Sequence, residues 1–161
     1  MNSAFATCIN LPVIDTTGWD TSNVITFTYA FSNCTNLYKL DVSNFNTANA
    51  TNMSYMFEYC YKLRELDVSN FNTENVTNFT QMFRALVRLE ELNVSNFDTA
   101  KATSMSYMFA SMYILKELDV SNFNTELVTN ISNMFYGDRA LESLDLSNFN
   151  VSKVTDMSYM F

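Results

Sequence analysis

A 26-residue repeat constrains this chain more than any other feature of its sequence. The motif L-[DN]-[VL]-S-N-F returns every 26 residues, at Leu40, Leu66, Leu92, Leu118 and Leu144, and a degenerate copy begins at Ile14. Self-similarity at a period of this size is typical of solenoids, in which each repeat buries its apolar residues against its neighbours. The repeat therefore predicts the architecture before any local propensity is considered.

The repeats divide the chain into coils of one predicted domain, residues 1–161. Residues 1–13 are a partial coil, complete coils start at residues 14, 40, 66, 92 and 118, and residues 144–161 are a second partial coil. This length is sufficient to bury a core. Because each partial coil leaves an apolar layer open, we expect further repeats, a cap, or end-to-end self-association with another chain.

Three positions of the repeat, counted from its opening residue, are apolar in every copy. Position 6 is Trp or Phe, position 18 is Phe and position 24 is Leu. The position-18 residues are Phe5, Phe31, Phe57, Phe83, Phe109, Phe135 and Phe161. We predict that stacking turns these positions into continuous internal ladders, in which each buried aromatic contributes about 1.5–3 kcal/mol.

The spacing within each repeat predicts a short strand followed by a short helix. Leu66 and Val68 alternate with polar residues, as in a half-buried strand. Thr51 lies where the N-cap of a helix belongs. The apolar residues after it follow the i, i+3, i+4, i+7 spacing of one helix face, at Met53, Met56, Phe57 and Cys60. The predicted fold is an α/β solenoid, a right-handed leucine-rich-repeat stack of strand-turn-short-helix coils with one parallel sheet.

Two linked motifs resemble the repeat of BspA-like leucine-rich-repeat surface proteins. These motifs are L-x-x-L-x-[VL]-S-N-F-[ND]-T and V-T-[ND]-M-S-x-M-F, and the resemblance extends from about Phe5 to Phe161. Members of this family are typically bacterial, but similar arrays occur in protists and large viruses, so the resemblance does not fix the organism. It implies a surface or secreted protein that binds host molecules, other cells or matrix, and therefore an extracellular or cell-surface location. The first residues show no basic flank of a secretion signal, so this location is an expectation from the resemblance alone.

Composition argues against several classes of function. The chain has no histidine, which removes the commonest general base and the usual zinc ligand, so we expect neither an enzyme nor a transition-metal site. Its net charge of −8 opposes binding to nucleic acid. No apolar run approaches the roughly 18 residues of a membrane helix, so membrane insertion is not expected. No cofactor is implied, apart from the possibility of calcium considered next.

Acidic residues recur at positions 26 and 2, on the predicted outer face of the strands. They are Glu65, Glu91 and Glu117 at position 26, and Asp41, Asp67, Asp119 and Asp145 at position 2. Stacking places neighbours about 5 Å apart, where like charges repel. One interpretation is a concave acidic face that binds calcium or a basic partner. The other is that the aspartates accept hydrogen bonds from adjacent serines and turn amides.

Tyrosines recur at position 16 and offer a second candidate surface. They are Tyr29, Tyr55, Tyr107 and Tyr159, interrupted by Gln81 and Asn133. Tyrosine is a favoured contact residue in protein interfaces and sugar sites. A partly exposed aromatic strip and packing of the rings between neighbouring coils both fit this pattern.

Two further columns carry structural expectations. Cys8, Cys34 and Cys60 share position 21, and their spacing is the repeat period rather than a metal-binding spacing, so either a disulfide or a ladder of buried free thiols fits. Position 5 is asparagine from Asn44 to Asn148, and we expect these side chains to form a ladder that satisfies backbone groups of the turn.

Together these features predict non-catalytic binding, in the repeat region of a surface-exposed adhesin-like protein with a protein or glycan ligand. One alternative is a structural fibre or assembly component built by stacking of repeats. A second is an intracellular protein-interaction scaffold. Every repeat carries the same acids, so no unique catalytic pair is distinguished.

Overall fold

Parallel pairing between equivalent positions of successive repeats holds the chain together. A computed structural model describes all 161 residues. It contains two strands, β1 (Val13–Ile14) and β2 (Lys39–Leu40), which form a parallel sheet with Val13 opposite Lys39 and Ile14 opposite Leu40. Further single parallel bridges join position 13 of adjacent repeats, at Thr26, Asn52, Asn78, Ser104, Asn130 and Asp156. Each repeat is thus a coil laid directly beside the next one.

The predicted helices are absent, and the prediction of an α/β solenoid built of strand-turn-short-helix coils is wrong. An α-helix requires each amide to bond the carbonyl four residues earlier. Here alternate amides bond the following coil instead, as Met53 N does to the carbonyl of Asn78 at 3.1 Å. The amides between them close tight turns, as Met56 N does to the carbonyl of Met53 at 3.3 Å. Thr51 is therefore no N-cap, and its amide donates to the carbonyl of Ile25 in the preceding coil.

Left-handed residues at two positions of each coil explain why the chain does not continue as a helix. Tyr55 has a φ of 61° and Tyr59 a φ of 58°, far from the negative φ of a right-handed helix. Positions 16 and 20 have positive φ in the other coils too, as at Tyr29, Asn33, Gln81, Ala85, Tyr107 and Ser111. The i, i+3, i+4, i+7 spacing buries the same side chains in these turns as it does in a helix.

The predicted parallel sheet along the whole stack is also absent, and strands occur only at β1 and β2. Side-chain hydrogen bonds to the backbone recur along the whole stack, including the coils that contain β1 and β2. In the coil that begins at Leu66, Oδ1 of Asp67 accepts a hydrogen bond from the amide of Ser69 at 2.9 Å. Asn70 Nδ2 donates to the carbonyls of Val42 at 3.1 Å and Phe45 at 2.9 Å in the coil before. The expected asparagine ladder is confirmed from Asn44 to Asn148, and it continues beyond Leu40, where the strand pairing ends.

Buried threonines at position 8, where the first motif ends, form a second side-chain ladder that the sequence did not predict. Thr73 is 1% exposed, and its hydroxyl donates to the carbonyl of Asp98 at 2.9 Å. The same hydroxyl accepts the amide of Asp98 at 2.8 Å. Equivalent paired bonds are made by Thr21, Thr47, Thr99 and Thr125. One hydroxyl thus satisfies both backbone groups of a residue in the following coil.

Replacing Thr73 with valine is expected to lower the free energy of unfolding by about 1–3 kcal/mol, because the amide and carbonyl of Asp98 lose their partner. Thr73→Ser keeps the hydroxyl and is expected to retain most of this stability. Urea unfolding of both variants measures the difference. Equal stabilities for the two variants would show that the hydroxyl contributes nothing beyond its volume.

The apolar core lies inside the stack as one cluster of 40 buried residues, from Ile14 to Phe135. The predicted ladder at position 18 is confirmed over its central members, since Phe31, Phe57, Phe83 and Phe109 are fully buried. Neighbouring rings of this ladder stack with centroids 5.8–6.0 Å apart. Trp19 and Leu11, predicted to line the core, remain 37% and 41% exposed.

Candidate functional site

The acidic residues of positions 26 and 2 lie in shallow depressions between neighbouring repeats. One depression brings together Glu65, Asp67 and Glu91, and the next brings together Glu91, Glu117 and Asp119. Glu117, Asp119 and Asp145 line a third. Asp41 lines none of these three, and it lies beside β2. The row is thus continuous over the later repeats, and Arg64, Lys116 and the further acid Glu90 line it as well, so the depressions carry charges of both signs.

Each aspartate of this row has one oxygen committed to a turn. Oδ1 of Asp41 accepts the amide of Ser43, and Asp119 accepts that of Ser121, both at 2.9 Å. Bonds from the hydroxyl and amide of Ser43 hold the pKa of Asp41 below its usual value. The aspartates thus accept hydrogen bonds from neighbouring serines and turn amides, as the second interpretation of the row expects. No group of three or more cysteine, aspartate or glutamate side chains is placed so that it could hold a metal ion.

The position-16 tyrosines form a half-buried column on another side of the coil. Tyr29 and Tyr55 stack with ring centroids 4.4 Å apart and an interplanar angle of 14°. Tyr29 is 37% exposed, Tyr55 and Tyr107 are partly buried, and Tyr159 is the most exposed, at 75%. Both sequence interpretations therefore hold in part, because the rings pack on one another while their edges stay at the surface.

Arg84 joins this column to a second set of tyrosines. Its guanidinium carbon lies 4.8 Å from the ring centre of Tyr107 and 5.1 Å from that of Tyr59, within cation–π range. Nη1 donates to Oε1 of Gln81 at 2.6 Å and lies 3.6 Å from Oε1 of Glu58. Burial raises the pKa of Glu58, while the hydroxyl of Ser32 and the charge of Arg84 oppose that rise.

We call Tyr29, Tyr55, Tyr59, Arg84 and Tyr107 the tyrosine–arginine surface. Its chemistry is that of a recognition surface, with phenol hydroxyls, ring edges and one guanidinium along adjacent coils. Arg84 was missed in the sequence because position 19 changes identity in every repeat, from Ser32 to Tyr136. The sequence did show that Gln81 replaces a tyrosine of the column, and this replacement was the signal that could have pointed to Arg84.

A pocket lies beside this surface, around the second interruption of the column. A cavity of about 320 Å³ is lined by Arg84, Tyr107, Ser111, Asn133, Tyr136 and Tyr159. We call it the Asn133 pocket. Asn133 is 8% exposed and has a φ of 56°, in the left-handed region that asparagine tolerates.

The three cysteines are free thiols, and the disulfide alternative is not what the structure contains. Sγ of Cys34 donates to the carbonyl of Phe5 at 3.1 Å, and Sγ of Cys60 donates to that of Phe31 at 3.2 Å. Cys34 and Cys60 are buried and Cys8 is partly buried. Burial raises the pKa of the Cys8 thiol. These thiols extend the core ladder in the first coils.

Stacked 26-residue coils with side-chain ladders define the chain as a tandem-repeat protein. The family described as Mycoplasma protein of unknown function, DUF285, matches residues 1–117 and 88–161, which together span the chain. The chain belongs to this family. No curated protein matches it, and no solved structure does. The chain has no helix long and apolar enough to cross a membrane.

Proposed function

We propose that this chain is a non-catalytic recognition region of a BspA-like, surface-exposed adhesin-like protein, and that the tyrosine–arginine surface makes its contacts. The observation that carries the proposal is the exposure of stacked tyrosine edges beside Arg84. The resemblance of the repeat motifs to surface proteins supports the location. Tyrosine and arginine are enriched where binding energy concentrates in protein interfaces.

The packing of the rings indicates how a partner is contacted over this surface. The facing sides of Tyr29 and Tyr55 cover each other, and Arg84 covers one face each of Tyr59 and Tyr107. The hydroxyls and ring edges therefore remain for a partner, and they favour a hydrogen-bonding protein surface. The rings are held in place before binding, which reduces the conformational entropy lost on association.

The test is biolayer interferometry of the purified chain against immobilised extracellular-matrix extract and fixed mammalian cells. Saturable binding is expected, and the double variant Tyr55→Asn with Tyr107→Asn should weaken it at least about tenfold, or 1.4 kcal/mol. Asparagine suits these left-handed positions, as Asn133 shows at the equivalent position. Glu74→Gln with Glu126→Gln, at exposed residues of another segment, is the matched control.

Two outcomes contradict the proposal: no saturable binding to either preparation, or a double variant that binds as the unaltered chain does. Sedimentation velocity on the same samples separates recognition from the fibre alternative. Concentration-dependent growth into long assemblies, with no binding to matrix or cells, favours stacking of chains as the function.

A further inference from the structure

The Asn133 pocket occurs where a ring is missing from the tyrosine column. Tyr107 and Tyr159 lie one repeat before and one repeat after Asn133. Where tyrosines occupy adjacent repeats, at Tyr29 and Tyr55, the ring centroids are 4.4 Å apart. Adjacent coils are spaced by about 4.8 Å, so Tyr107 and Tyr159 are separated by roughly 9–10 Å. That separation leaves the space of one ring between two tyrosines.

The other interruption of the column, at Gln81, is closed by the protein itself. Oε1 of Gln81 accepts Nη1 of Arg84, and the guanidinium packs over Tyr107 on that side. Nothing equivalent fills the space at Asn133. Asn133 lines the pocket, and its side-chain amide makes no hydrogen bond within the protein and keeps access to solvent through the pocket. The hydroxyl of Ser111, on the same pocket wall, makes none either.

We propose that the Asn133 pocket binds one neutral pyranose ring of a glycan, between the rings of Tyr107 and Tyr159. A pyranose has apolar C–H faces and a rim of hydroxyls, so it suits two aromatic walls with an amide and a hydroxyl at the edge. The amide of Asn133 both donates and accepts hydrogen bonds, as a sugar hydroxyl requires. The cavity of about 320 Å³ accommodates a single ring.

Two observations select a neutral sugar over other flat ligands. An aromatic side chain of a partner protein would fill the space but leave the amide of Asn133 unpaired, at a cost of about 1–3 kcal/mol. An anionic ring would need a free cation, but Arg84 is already engaged by Glu58 and Gln81. This inference deepens the recognition function proposed above and rests on it.

Saturation-transfer-difference NMR tests the pocket with free glucose, galactose, mannose and N-acetylglucosamine, each at about 10 mM, a concentration that detects millimolar affinity. Irradiation of the aromatic protons should transfer saturation to the ring protons of at least one sugar. Asn133→Tyr restores the missing ring and should reduce binding at least tenfold. The variant is expected to fold, because Tyr107 has the same φ of 56°. Tyr38→Asn removes an exposed tyrosine that belongs neither to the pocket nor to the tyrosine–arginine surface, and it should leave binding unchanged.

The inference is overturned if none of the four sugars receives saturation, or if Asn133→Tyr binds as the unaltered chain does. It is equally overturned if N-acetyltyrosine amide binds in their place. Because this experiment uses free sugars, its failure is distinguishable from failure of the recognition function. Matrix binding that persists without sugar binding removes the inference alone, whereas sugar binding without matrix or cell binding removes the proposed function alone.

Discussion

Phe109→Ala is expected to lower the free energy of unfolding by about 3–5 kcal/mol, through lost burial and the cavity left behind. Phe109 is fully buried, and its ring stacks on Phe83 at 5.9 Å and on Phe135 at 5.8 Å. Phe123 closes its remaining side at 6.1 Å. Removing it therefore opens the ladder in three directions. Urea unfolding followed by circular dichroism measures the loss.

Phe161→Ala is the matched control, since it makes the same substitution at the same repeat position with the ring 71% exposed. Its expected cost is below about 1 kcal/mol, because little transfer free energy is lost. Amide hydrogen exchange should show that Phe109→Ala weakens protection chiefly in the adjoining coils, since the backbone bonds connect each coil to its neighbours. Equal losses of stability in the two variants would contradict the ladder.

The core could be predicted from the sequence because burial depends on the repeat period. Phe57, Leu63 and Phe83 recur at fixed positions, and any regular stacking of coils turns them inward together. The helix prediction failed because periodicity reports which side chains are buried, not how the backbone bonds. Tight turns with left-handed residues such as Tyr55 and Tyr59 place Met53 and Phe57 inside equally well.

The strand prediction failed for a related reason. Alternation at Leu66 and Val68 correctly places both side chains inside, but no strand forms there. Side-chain bonds to the backbone do not account for the missing strand, because the same bonds are present in the coils that contain β1 and β2. Asp67 and Asn70 bond backbone groups within their own coil and in the preceding coil. The asparagine ladder was predictable because asparagine favours such bonds. The end of the strand pairing after β2 was not predictable, because alternation indicates burial and carries no information about backbone pairing.

The candidate site was predictable only in outline. The tyrosine column was visible as a recurrence at position 16, with Tyr55 and Tyr107 among its members. Arg84 and Asn133 matter because they break the pattern, and a repeat consensus hides residues that depart from it. Whether a departure is filled, as at Gln81, or open, as at Asn133, depends on contacts between coils.

Asp138 is a further departure, and it sets the pH dependence that we expect of the fold. It occupies position 21, where other coils have Cys60, Leu86 or Met112. Oδ1 accepts the amide of Met112 at 2.7 Å, but Oδ2 is buried without a partner. Burial raises the pKa of Asp138 to about 8, against the opposing effect of the amides of Met112 and Ser111.

A raised carboxyl pKa destabilises the fold as the pH increases. Between about pH 4 and pH 8 the folded chain holds a proton on Asp138 that the unfolded chain has released, so the free energy of unfolding falls as the pH rises through this window. One pKa unit corresponds to about 1.4 kcal/mol. Allowing for partial solvent exposure of the carboxyl, we expect a loss of about 2–4 kcal/mol between pH 5 and pH 8.

Asp138→Asn keeps an acceptor for the amide of Met112 and removes the titration. Its advantage in stability over the unaltered chain should therefore be larger at pH 8 than at pH 5 by about 2–4 kcal/mol. Asp119→Asn is the matched control, because hydrogen bonds from the hydroxyl and amide of Ser121 lower the pKa of that aspartate. Its ionised form favours folding above about pH 4, so this substitution should not stabilise the chain at pH 8. Urea unfolding at both pH values decides the matter, and Asp138 has no such role if Asp138→Asn follows the unaltered chain at pH 5 and pH 8 alike.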